Sequence, residues 1–270
     1  MSVMFCRHEP VNHPFYIEPL GIHIWSSQEL CYVIYNNPLL VLEDFVDDHL
    51  IAFIREELDM EYLAAKLEKL IKSGEDNDQL LLVILSECSY YSAAEQNRFH
   101  QEVAALKKLS PAQYAKRKGD YMFSLKQYGK AAAIYGKILE SPKDPGTEPG
   151  FVGKVWCNLG CAYARMFQFD RASSAFYRAY LESKDQEILK RMYFLTRVHS
   201  GAELKEPCRS AVTRELAESW DQEVEEAKEM AKASESVLKI EGLFEKDPIK
   251  RMAGASKLVK QWKQEYRGMI

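Results

Sequence analysis

The sequence holds no run of eighteen apolar residues, about the least that spans a bilayer as a helix. Its most apolar stretches, 30–42 and 80–85, are broken by Asn36, Asn37 and Pro38 or ended by Ser86 and Glu87. Neither charge is in large excess: 36 Lys and Arg stand against 40 Asp and Glu, a net charge of −4. That balance argues against a dedicated nucleic-acid binder, which carries a basic excess. Proline and glycine are scarce, 10 and 13 of 270 residues, too few for a disordered or collagen-like chain. Arg7, His8 and Glu9 come too early for the apolar core of a secretory leader, so the expected location is the cytoplasm. The six cysteines, at 6, 31, 88, 157, 161 and 208, form no C-x-x-C pair and are expected to be reduced.

Catalytic signatures are missing as well. The chain has no G-x-S-x-G, H-E-x-x-H or G-x-G-x-x-G. Residues 149–155, Pro-Gly-Phe-Val-Gly-Lys-Val, fail as a phosphate loop because Val155 stands where Ser or Thr would hold magnesium. Cys6, His8 and His13 are close together but lack a second ligand pair. Cys157 and Cys161 share one helix face, as two metal ligands would, yet no His or Asp joins them nearby in sequence. No enzyme, cofactor or metal is expected.

What is present is helical periodicity. Two short β-rich runs, Phe15-Tyr16-Ile17 and Ile22-His23-Ile24-Trp25, flank a Pro19-Leu20-Gly21 turn and predict a small hairpin. An isolated hairpin is marginal, so it should pack on the helices that follow. Ser26 and Glu29 have capping-box spacing and start the first helix. Further helices read over 47–58, 60–72, 79–90 and 93–108, and Ser110-Pro111 opens another. After 187–199 comes one long charged helix, 210–244, which unbroken would span about 50 Å, with Gly242 as a candidate bend. Asp247-Pro248 precedes a last helix over 249–267.

Between these lies an internal repeat. Its second copy is Trp156, Leu159, Gly160, Tyr163, Phe169, Ala172, Phe176 and Ala179. The first has Ala115, Gly119, Tyr128, Ala131 and Tyr135 at matching places, with Lys118, Met122 and Ile138 in the other three. The small residues let paired helices approach, and the aromatic ones fill the space between hairpins. Such a hairpin cannot bury its apolar face alone, so units stack. Gly119 and Gly160 are 41 apart, and residues 144–150 hold the excess as a loop. Over about 112–184 this pattern resembles the tetratricopeptide repeat. The resemblance implies a mainly α fold: an α–α superhelix of helical hairpins, with the small N-terminal β-hairpin and long C-terminal helices added. The organisation expected is 1–108, hairpin and helices; 109–200, repeats; 205–270, C-terminal helices. Residues 187–199 read as a degenerate repeat or a capping helix, because Phe194 stands where the small residue would recur.

In that family first helices line a concave groove that takes an extended peptide or a C-terminal tail. The resemblance places Gln113, Lys116, Asp120 and Phe123 there from the first repeat, and Lys154, Cys157, Asn158, Cys161 and Arg165 from the second. Chaperone-binding members clamp two carboxylates with Lys and Asn, then Asn, then Lys and Arg. Lys116 and Asn158 match, but Asp120 replaces the first Asn, and Ile188 and Met192 occupy the third unit's basic positions, with Lys190 and Arg191 displaced from them. The clamp is partial. The leading expectation is a non-enzymatic, co-chaperone-like adaptor with a protein or peptide partner. The alternative is an architectural or self-associating subunit whose groove its own C-terminal helices fill. Residues 250–270 hold six basic residues and one acidic. The apolar side of this helix is expected to pack on the repeats, and a membrane surface is its second candidate partner.

Overall fold

The computed structural model describes residues 11–141 and 148–270. Cys6, His8 and residues 144–147 of the loop between the repeats lie outside the described residues. Among the described residues, fifteen helices and one two-stranded hairpin make the chain mainly α. It divides into two compact units, one up to Tyr121 and one from Met122 onward.

The first unit opens with the expected hairpin. Strands β1 (Phe15–Ile17) and β2 (Ile22–Ile24) pair antiparallel, with Phe15 opposite Ile24. Gly21 turns the chain at φ 65°. One face of the ribbon, Ile17 and Ile24, is buried in the same core as Leu30, Ile34, Leu50, Ile54, Leu67, Leu81 and Leu85. That core belongs to α1 (Ser27–Asn36), α2 (Pro38–Val41), α3 (Asp48–Glu56), α4 (Glu61–Lys72), α5 (Asn77–Cys88) and α6 (Ala93–Lys107). The first cap differs from the expected box. Ser26 Oγ accepts from Glu29 N at 3.2 Å, but Glu29 Oε2 accepts from Trp25 N at 2.6 Å, one residue early. The reciprocal box stands at Ser92 and Glu95. The fifth helix ends with Ser89 in the left-handed region at φ 51°.

Helix α7 (Pro111–Ser124) begins in the first unit and ends in the second. In the second unit one turn occurs twice, at a constant offset of 41 residues. Gln127 N donates to Met122 O at 3.0 Å and Gln168 N to Tyr163 O at 2.9 Å. Lys126 and Phe167, at φ 61° and 60°, take the left-handed position. These turns lead into α8 (Tyr128–Glu140) and α10 (Phe169–Ser183), with α9 (Phe151–Arg165) between them. Ala131 and Ala172 are fully buried, and Tyr135 and Phe176 nearly so.

Beyond them lie α11 (Gln186–Val198), α12 (Cys208–Ala211), α13 (Arg214–Lys232), α14 (Glu235–Phe244) and α15 (Pro248–Met269). The single helix expected over 210–244 is three pieces. Thr213 Oγ1 accepts from Leu216 N at 3.3 Å, and Ser234 Oγ from Val237 N at 3.4 Å. Each hydroxyl caps a new helix start, which a continuous helix would leave no room for. Gly242 lies inside α14 and bends nothing. The expectation that α15 buries its apolar side also fails. It has no buried residue, and Met252, Val259, Trp262 and Tyr266 stay exposed. It meets α14 where Leu243 Cδ2 occupies the space beside Gly254.

Candidate interaction surface

Helix α9 is pressed onto α10 by its small residues. A Cβ on Gly160 would lie 2.6 Å from the Phe176 ring, and one on Gly153 would lie 3.3 Å from Glu182 Cβ. Val155, Leu159 and Ala162 are buried. This close seating turns Lys154, Cys157, Asn158, Cys161 and Arg165 to another side of α9. There Lys154 and Arg165 are exposed and the other three half-buried.

A residue that the sequence pattern puts off the clamp positions joins them. Arg191 of α11 donates to Cys157 Sγ at 3.3 Å and to Cys161 Sγ at 3.0 Å. Ile188 and Met192, expected beside the groove, are core residues at 5% and 2% exposure. A signal for Arg191 was available: it lies 34 residues after Cys157, a spacing common among helical-hairpin repeats. Phe194 in place of a small residue hid the register. The two thiols share a hydrogen bond that lifts Cys157 far above the ordinary range and brings Cys161 down to about 6. Burial works against the Cys161 shift, while the Arg191 and Arg165 guanidiniums support it.

The first-repeat positions are distributed differently. Gln113 caps its own helix: Gln113 N donates to Ser110 Oγ at 3.4 Å, and Gln113 Oε1 accepts from Ser110 N at 3.1 Å. Lys116 Nζ bonds Asp120 Oδ2 at 2.7 Å within α7, so the Asp120 carboxylate is offset by its neighbour. These three belong to the first unit. Phe123, in the second, packs edge-on against buried Tyr128 with ring centres 5.0 Å apart. Its role there is packing.

On the opposite face of α9 lies a cleft of about 510 Å³ between α8, α9 and α10. Trp156 and Tyr163 line it, and two guanidiniums cap them: Arg178 is 4.7 Å from the Trp156 ring centre and Arg171 is 4.9 Å from that of Tyr163. Cation–π contacts of this kind cover aromatic rings that a close-packed stack would bury.

The C-terminal helices return to the second unit. Trp220 of α13 is buried against Tyr193 of α11, ring centres 5.4 Å apart. Asp221 accepts from Tyr193 Oη at 2.9 Å and from Arg197 Nε at 2.8 Å, and Lys190 pairs with Glu223 at 2.7 Å. The backbone of Ile270 sits against Gly129, where a Cβ would collide with the Ile270 carbonyl oxygen. Among the described residues no three His, Cys, Asp or Glu side chains gather as a metal site, and no helix is long and apolar enough to cross a membrane. Compared with family models, curated proteins and solved structures, the chain matches none.

Proposed function

We propose that this chain is a non-enzymatic interaction scaffold of the cytoplasm, built on tetratricopeptide-like hairpins, that takes an acidic or carboxylate-bearing peptide on the α9–α11 face. The observation that carries this reading is the convergence of Arg191 on a face already holding Lys154, Asn158 and Arg165. Guanidinium forks suit carboxylates, and a hydrogen bond to a charged group contributes about 1.5–3 kcal/mol. The likeness of the 112–184 pattern to peptide-binding repeats supports the same partner class. Lys116 and Gln113, already bonded within α7, are weaker candidates than the sequence pattern implies.

The test is an array of acidic, neutral and basic peptides probed with the full chain. Acidic peptides should bind preferentially, and raised salt should weaken them. Lys154→Ala with Arg165→Ala should cost at least tenfold in affinity. The helical circular dichroism should not change, because both side chains are exposed. A preference for basic peptides, or an undiminished double variant, rejects the proposal.

The architectural alternative has its own support in Trp220 seated on α11 and Ile270 against α8. It predicts no selective peptide binding and an assembly that disappears when the C-terminal helices are altered.

A further inference from the structure

Cys157 and Cys161 offer chemistry that the peptide reading does not use. They stand one helical turn apart, half-buried, and the same guanidinium reaches both sulfurs, at 3.3 and 3.0 Å. A thiol is a weak acceptor for such a donor and a thiolate a strong one, so Arg191 favours the loss of a proton from the pair. Two adjacent thiolates would repel each other, so one proton stays. The surroundings decide where. Arg191 lies nearer Cys161, and Arg165, one turn further along α9, acts on Cys161 as well. Asp185, ahead of α11, acts on Cys157 in the opposite sense, and Glu187 acts on Arg191 itself. Cys157 therefore keeps the proton and donates it to the Cys161 sulfur. A guanidinium at this place also opposes a metal cation.

We propose that Cys161 is a nucleophilic thiolate and the place where a hydroperoxide modifies this protein. The thiolate attacks the terminal, hydroxyl-bearing peroxide oxygen, the S–O bond forms and the O–O bond breaks. Sulfur is oxidised by two electrons to a sulfenic acid, and the departing alkoxide, or hydroxide from hydrogen peroxide, takes a proton from solvent to leave as an alcohol or water. A disulfide to Cys157 is not the natural end point. Helix neighbours at this spacing hold their Cβ atoms about 5–6 Å apart, against about 3.8 Å in a disulfide. The sulfenic acid instead awaits an external thiol, which displaces water to give a mixed disulfide, and a second thiol restores Cys161.

The inference rests on the Arg191–thiol geometry and the charges around it, and its test contains no peptide, so it stands or falls apart from the peptide reading. The full chain is alkylated with limiting iodoacetamide between pH 5 and 9, and fragment ions separate Cys157 from Cys161. Cys161 should carry the label first, with a rate midpoint well below that of an ordinary thiol, because the Arg191 guanidinium favours its thiolate. An ordinary thiol would give about 8.5. Arg191→Gln should raise that midpoint by at least one pH unit and leave the helical signal unchanged. Cys157→Ser, which keeps a proton donor, should leave Cys161 labelling in place. After brief hydrogen peroxide, dimedone should mark Cys161, and prior dithiothreitol should erase the mark. A midpoint near 8.5 in the parent, first labelling at Cys157, or no dimedone adduct on α9 overturns the proposal.

Discussion

Gly160 shows how one hydrogen atom positions a surface. Its missing Cβ lets the Phe176 ring come within the space a methyl group would fill. That contact sets the distance between α9 and α10, and so the direction in which Lys154, Cys161 and Arg165 point. Gly160→Leu should lower the unfolding free energy by about 1–3 kcal/mol through overpacking, read as a lower denaturant midpoint. An unchanged midpoint would mean that the glycine is not what seats the helix. This residue was legible in the sequence, as were Ala131 and Ala172, because packing between neighbouring helices imposes small side chains at fixed short spacing. Arg191 was not. Its partners lie 34 and 30 residues away, and the helix that carries it has Phe194 where a small residue would fix the alignment.

At the scale of elements, most helices were readable from periodicity and caps, and the N-terminal hairpin from its two β-rich runs. The C-terminal stretch was misread for a physical reason. The charge pattern of 210–244 continues across Thr213 and Ser234, while the breaks depend on two hydroxyls taking backbone N–H groups, which periodicity does not register. The seat of α13 on α11 carries a pH prediction. Desolvation pushes the Asp221 carboxyl up, but hydrogen bonds from Arg197 and Tyr193 outweigh it, and the group ends below its ordinary range. A depressed carboxyl stabilises the fold above the unfolded value of about 3.9 and loses that contribution as pH falls through the folded value. Hydrogen exchange of α13 should therefore quicken in Asp221→Asn at pH 7. The gap between variant and parent should close on acidification below pH 4. A gap that persists at the lowest pH would assign the effect to packing and not to the ion pair.

At the scale of the whole molecule, the repeat pattern and the compact units do not coincide. The sequence offers no break inside 111–124, because a continuous helix carries no stop signal, yet the division falls between Tyr121 and Met122. The positions drawn from the first repeat are accordingly shared between units, and the second unit alone assembles Lys154, Cys157, Asn158, Cys161 and Arg165 with Arg191. The central claim is that this face recognises an acidic peptide. Amide chemical-shift mapping of the full chain, titrated with the strongest acidic peptide from the array, tests it most directly. The account predicts that the largest shifts fall within 154–165 and 187–194. Shifts confined to other helices, or none at saturating peptide, would contradict it.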